Sequence, residues 1–295
     1  MTTYVLNSHK ALKWLGYKSC MNLILCKDHT LALDRPLIMG VLNVTPDSFS
    51  DGGVFFDVRT ALEHAKRMVA EGADIIDVGG ESTRPGAEPV SVDEELRRVV
   101  PVVKELLNCV QVPISIDTMK PEVADACLKL GVHMLNDVTG LRDDRMVEVA
   151  ARHNVPVIIM HMLGDPQMMQ THPDYKDVVK EVKQYLKKQA DRAQAAGINQ
   201  IIIDPGIGFG KTVEHNVQLI KHIAEFKKLG YPVLMGVSRK SFIGKILGTD
   251  DPAQRLEGTL AAVTACVLNG ADILRVHDVK ECVRAVKIAE AIRRA

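Results

Sequence analysis

Eight short apolar runs, spaced along 295 residues, constrain this chain more than any other feature. They are LIMGVL (37–42), DIIDVGG (74–80), VPISID (112–117), HMLNDV (133–138), PVIIMHM (156–162), IIIDPG (201–206), PVLMGVS (232–238) and ILRVHD (273–278). Each is too short for a buried helix and too continuously apolar for a strand with one wet face, so all eight read as strands of a parallel sheet covered on both sides. The segments between them have helical periodicity: 60–72, 91–107, 121–131, 143–153, 175–196, 213–229, 252–269 and 279–294. Regular βα alternation implies a parallel sheet. Eight units in roughly 250 residues is the size of a closed (β/α)8 barrel, the α/β fold expected here.

Local signals agree. Ser91 and Glu94 have capping-box spacing before a helix. Pro121 opens the next helix and Gly131 closes it. A weak repeat also runs through the chain: Gly72-Ala-Asp-Ile-Ile-Asp77, Gly131-Val-His-Met-Leu-Asn136 and Gly270-Ala-Asp-Ile-Leu-Arg275. In each, a helix-ending glycine precedes a strand that carries a polar residue five positions on. Residues 21–36 read as a hairpin closing the bottom of the barrel. Residues 1–20 have a weak hydrophobic pattern and read as an extension ahead of a barrel domain over 21–295, with Met21 a candidate initiator.

Lys plus Arg equals Asp plus Glu at 37 each, so no overall field draws the chain to nucleic acid or an anionic membrane. Anion binding must then come from a local site. The six cysteines, Cys20, Cys26, Cys109, Cys127, Cys266 and Cys282, form no CxxC pair and read as reduced thiols of a cytoplasmic protein. No apolar run approaches the ~18 residues of a membrane span, and the N-terminus has no signal-peptide core.

In a barrel of this kind the site lies at the C-terminal ends of the strands. Those ends carry Asn43, Glu81 to Arg84, Asp117, Asn136-Asp137, His161, Asp204, Ser238 to Lys240, Arg275 and His277. Arg275 and His277, two apart, face the same way after the last strand and suit an anion. Asp117 and Asp204 are each able to hold a metal, act as a base, accept two N–H donors of a heterocycle, or cap a helix. Asn136 offers one donor and one acceptor to such a ring. The loop after strand one, from Asn43 through Gly52-Gly53, is longer and more polar than a simple connection requires.

GIGFGKT (206–212) fails the Walker A and GxGxxG patterns, so it reads as a glycine loop that lets substrate approach the backbone, with Phe209 an aromatic face within it. The spacing of His161 and His172 fits no zinc pattern, and no structural metal is expected there.

Seven segments together resemble the dihydropteroate synthase family: MGVLNVTPDSFSDGG, DVGGESTRPGA, ISIDT, LNDV, DPGIGFGK, GVSRKSFIG and RVHDV, in family order from about Met21 to the C-terminus. The resemblance implies that 4-aminobenzoate displaces diphosphate from (7,8-dihydropterin-6-yl)methyl diphosphate with Mg²⁺ assistance, in a homodimeric barrel enzyme of folate biosynthesis that is a sulfonamide target. It implies that Asn43 meets the magnesium diphosphate, and that Arg84, Arg275 and His277 hold the diphosphate. By the same resemblance Asp117, Asn136, Asp204 and Lys240 bind the pterin, while Thr83, Pro85, Phe209, Lys240 and Ser241 line the aminobenzoate pocket. The resemblance further implies that Asp117, Lys240, Arg275 and His277 form the catalytic set and that the loops Asn43–Asp57 and Arg84–Pro89 close over the substrates. A methyltransferase acting on methyltetrahydrofolate would share the Asp117, Asn136 and Asp204 logic but has no use for Arg275 and His277.

Overall fold

A computed structural model describes residues 23–44, 53–82, 88–164 and 173–295, with backbone only for 53–57. A two-strand hairpin comes first, β1 (Leu23–Cys26) and β2 (His29–Ala32), antiparallel with Cys26 opposite His29. Eight strand and helix units follow: β3 (Leu37–Asn43) and α1 (Gly53–Glu71), β4 (Ile75–Gly79) and α2 (Val92–Cys109), β5 (Ile114–Asp117) and α3 (Pro121–Leu130), β6 (Met134–Asp137) and α4 (Asp144–His153). Next come β7 (Val157–Met160) and α5 (Val178–Ala195), β8 (Ile201–Asp204) with α6 (Val213–Lys221) and α7 (Ile223–Lys227), β9 (Leu234–Met235) with α8 (Ser241–Leu247) and α9 (Leu256–Leu268), and β10 (Ile273–Val276) with α10 (Val279–Arg294).

The eight strands from β3 onward pair in parallel in the order β8, β7, β6, β5, β4, β3, β10, β9. A parallel bridge between Ile203 and Val233, with Ile203 N–H donating to the Pro232 carbonyl at 2.9 Å, joins β9 back to β8 and closes the ring. All eight apolar runs are therefore strands of one (β/α)8 barrel.

One arm of the expected capping box forms, the Glu94 carboxylate accepting from Arg97 and Arg98 rather than from the Ser91 N–H, and the glycine caps form as expected. Ser91 Oγ accepts from Glu94 N–H at 3.2 Å. Gly72, Gly131 and Gly270 take φ of 106°, 117° and 98°, the left-handed turn that each repeat needs to swing from helix into strand. Three helices differ from expectation. The first starts at Gly53, so the loop after β3 ends before Asp57. The segment 213–229 breaks at His222 into two helices, and α8 is an extra helix between β9 and α9. Its seven residues are too few to show a clear period in sequence.

Side chains alternate across the barrel wall. Ile38, Leu42, Ile76, Val78, Ile116 and Leu135 face outward into the core shared with the helices. Gly40 faces outward too, where an added Cβ would stand 2.8 Å from Met68 Sδ, so α1 packs directly on the β3 backbone. Inward, Leu37, Met39, Ile75, Met134, Ile158, Ile202, Leu234 and Ile273 form a separate apolar layer with Ile24 and Cys26 of the hairpin. Gln200 binds both backbone groups of Leu25, at 2.6 and 2.9 Å, and fastens the hairpin across the bottom as expected.

Candidate active site

Two residues further up the same inward faces, the lumen changes character. Asp77 of β4, Asp117 of β5, Asn136 of β6, Asp204 of β8 and Arg275 of β10 point into it, and the four acidic and amide groups are all buried. Strand register sets the first of these side by side: Asn43 is level with Gly79, Gly79 with Asp117, and Asp117 with Asn136.

Arg275 is the hub. Its Nε donates to Asp77 Oδ2 at 2.6 Å and its Nη2 to Asp117 Oδ2 at 2.5 Å, while Asn136 Nδ2 donates to the same Asp77 oxygen at 3.0 Å. Burial drives the Asp117 carboxyl up to about 7 against the pull of Arg275, with Asp77 pushing the same way as burial. Asp204 is also raised by burial, opposed by the Gly206 N–H on its Oδ1 at 2.7 Å and by Lys240, Arg275 and Lys211. Among the described residues, Asp117 Oδ1 meets no donor. A buried acceptor of this kind is costly unless something supplies an N–H or O–H.

His277 lies just past β10, with Nδ1 3.0 Å from Ser238 Oγ, the same hydroxyl that accepts its backbone N–H at 3.1 Å. Asn43 ends β3 on the lumen face and is half-buried. Lys240 Nζ stands 4.1 Å from the centre of the Phe209 ring, and Ser241 begins α8 beside it. Phe209 belongs to an apolar rim cluster with Val138, Met160 and Met162, against which Met119 packs. Thr83, Arg84 and Pro85 lie outside the described residues, as do Thr45 to Gly52 of the first loop.

Some rim residues do other work. Asp137 turns outward, its carboxylate accepting from Thr139 and Leu141 N–H at 2.8 Å each, so it fastens a turn. Arg239 pairs with Asp278 at 2.6 Å. The glycine loop is needed first by the protein itself: at Gly206, with φ of 71°, a Cβ would fall 1.8 Å from the His161 carbonyl oxygen.

Two interior groups escaped the reading of strand ends. Lys211 is buried with Nζ 2.8 Å from the Phe209 carbonyl and 3.0 Å from His161 Nδ1, and no carboxylate accepts from it in a described hydrogen bond; burial lowers its pKa to about 7. His161 beneath it is pushed down to about 2, by burial first and then by Lys211. Asp77 was the other. It sits mid-run in DIIDVGG and looks like an interior strand residue, but the glycine repeat marks it, together with Asn136 and Arg275.

A model of the pterin binding enzyme family matches residues 39–277. The dihydropteroate synthase of Synechocystis sp. is 49% identical over 263 residues, covering 88% of this chain and 91% of that protein. The chain belongs to the dihydropteroate synthase family. It is thus a pterin-binding transferase of folate biosynthesis. Solved members superpose closely. The Xanthomonas albilineans dihydropteroate synthase with 4-aminobenzoic acid has a TM-score of 0.88 at 46% identity, covering 93% of this chain and 99% of that one. The Thermus thermophilus dihydropteroate synthase in complex with 6HMPPP has a TM-score of 0.80 at 49% identity, covering 92% and 99%.

Among the described residues, Asp28, His29 and His133 form one cluster of metal-ligand types, at the opposite end of the barrel. Ile114 N–H donates to His133 Nδ1 at 3.0 Å, so Nε2 carries the ring proton and faces Asp28 at 3.3 Å. That tautomer is a donor, unfit to ligate a metal. No helix among the described residues is long and apolar enough to cross a membrane.

Proposed function

We propose that this mouth condenses (7,8-dihydropterin-6-yl)methyl diphosphate with 4-aminobenzoate to give 7,8-dihydropteroate, diphosphate leaving before the amine attacks. The observation that carries the reading is the lumen network: two buried carboxylates, Asp77 and Asp117, each with one oxygen that meets no donor among the described residues, share a single guanidinium at the mouth. Asp117, Asn136, Asp204 and Lys240 take the pterin, matching its adjacent N–H donors and ring acceptors with carboxylates, an amide and an ammonium. Arg275, His277 and Arg84 take the diphosphate.

The methylene C–O bond breaks with its electron pair going to the diphosphate oxygen, whose growing charge Arg275 and His277 meet. Positive charge left on the pterin methylene lies near Asp117 and Asp204. The aryl amine, held by Thr83, Pro85, Phe209, Lys240 and Ser241, then forms the C–N bond and releases its proton. No strong general base is needed, because the electrophile is already a cation. The apolar rim around Phe209 and Met160 helps keep water from that cation.

The donor set suits magnesium. Mg²⁺ usually keeps several waters and is held by substrate phosphates with few protein oxygens, most often carboxylates. Asn43 supplies one amide oxygen at the mouth, while Asp117 is already engaged by Arg275. When bound with the diphosphate, the ion would neutralise the leaving group. The reading also takes residues 21–295 as a catalytic barrel, acting as a homodimer in the cytoplasm, with residues 1–20 outside it. Sedimentation tests the homodimer.

The assay supplies pterin diphosphate, 4-aminobenzoate and Mg²⁺ and follows dihydropteroate and diphosphate. His277→Ala is expected to weaken pterin diphosphate binding about tenfold while free pterin binds as before. Equal losses for both ligands would refute the role given to His277.

A further inference from the structure

The three repeats end on Asp77, Asn136 and Arg275, and the fold brings those three side chains into contact. Asp77 is fully buried beneath the other two. We propose that Asp77 is a positioning residue: one buried carboxylate that aims Arg275 at the diphosphate and Asn136 at the pterin, so that both subsites answer to a single anchor. The inference rests on the roles given to Arg275 and Asn136 above.

The chemistry of the two partners supports it. An asparagine amide has a donor end and an acceptor end. With Nδ2 held by Asp77 at 3.0 Å, the Oδ1 of Asn136 is turned away from that carboxylate, and an amide flip would set two acceptors against each other. A guanidinium has five donors in one plane. Asp77 takes Nε at 2.6 Å and Asp117 takes one Nη2 hydrogen at 2.5 Å, which fixes the plane and leaves three donors for an anion. Asp77 also shares the charge of Arg275, so Asp117 does not hold the guanidinium alone; Oδ1 of each carboxylate meets no donor among the described residues. The contacts join β4, β6 and β10, strands far apart in the chain, and each partner serves a different half of the substrate.

The test measures equilibrium binding of two probes separately: magnesium with inorganic diphosphate, and 6-hydroxymethyl-7,8-dihydropterin. Asp77→Ala is expected to weaken both by about tenfold, within the range of coupling between contacting residues. Asp77→Asn, whose amide oxygen can replace Oδ2, should recover part of the pterin affinity but less of the diphosphate affinity. In an Arg275→Ala background the diphosphate effect of Asp77→Ala should vanish, and in an Asn136→Ala background the pterin effect should vanish. Additive losses in both backgrounds, or a lower Tm with both affinities intact, would overturn the proposal. If Arg275→Ala and Asn136→Ala alone change neither affinity, the assignment of the subsites falls with it, a result distinct from additivity. Should the Asp77 variants not fold, the wild type still decides: the Nε–H of Arg275, assigned by its loss in Arg275→Lys, must exchange slowly in NMR. Exchange as fast as that of exposed arginines would overturn the anchor.

Discussion

The two ends of the barrel lumen are built from the same strands yet hold opposite contents. At the bottom, Leu37, Met39, Ile75, Met134, Ile158, Ile202, Leu234 and Ile273 interlock and the hairpin seals them from below. Two residues higher, the faces of Ile75, Met134, Ile202 and Ile273 carry Asp77, Asn136, Asp204 and Arg275, and Asp117 stands beside them above buried Ser115. The bottom layer stabilises the fold by removing apolar surface from water, at about 25 cal/mol per Å². The top layer buries charge, which costs unless each group is paired. A fold optimised for stability alone would have repeated the lower layer. The upper one sets a guanidinium among several buried carboxylates, where charges interact more strongly than in water.

The sharpest way to break this contrast is Arg275→Ala. Removing the guanidinium leaves Asp77 and Asp117 buried without their counter-ion. Turnover is expected to fall by about a hundredfold to a thousandfold and stability by about 3–5 kcal/mol, read by the condensation assay and by urea unfolding. Near-normal stability would mean that the upper layer is wetter than its burial implies.

Ile202→Ala probes the lower layer. Ile202 is 1% exposed, and the cavity should cost about 2–5 kcal/mol in urea unfolding while kcat/KM changes less than about twofold. A large kinetic effect with little loss of stability would mean that the two layers are not separable.

The smallest effect concerns Lys211 beneath the rim. Its pKa in the folded protein lies below that of a free lysine, near 7, so the folded state binds fewer protons than the unfolded state at higher pH. Stability contributed by this group is therefore present at alkaline pH and lost as pH falls through about 7. Relative to Lys211→Met, the wild type should gain stability between pH 7 and pH 9, as measured by paired urea titrations. A flat difference across that window would show that the ammonium stays charged in the interior.

Most of the architecture was legible because burial on both faces leaves a local trace. Eight continuous apolar runs, helices between them, the Ser91 cap and the glycine turns at Gly72, Gly131 and Gly270 all follow from short-range chemistry. Polar residues at strand ends likewise announced a functional mouth, and Asp117, Asn136, Asp204, Arg275 and His277 do lie there. Less was visible in residues whose meaning depends on a distant partner. Asp137 and Asn136 are neighbours in one strand, yet one faces the lumen and the other fastens a turn. Arg239 and Lys240 are adjacent, and only Lys240 faces Phe209. Nothing in the local pattern around Lys211 marks it as interior; the folded loop buries it.

From the amino-acid order alone came the barrel, its polarity and the family to which the mouth belongs, because periodicity and motif spacing are properties of neighbouring residues. Only the closed ring decided that Asp77, Asn136 and Arg275, up to 198 positions apart, share one network. Hydrogen bonds between side chains depend on distances of a few tenths of an ångström. Such distances exist only once parallel strands have set their register and the barrel has shut.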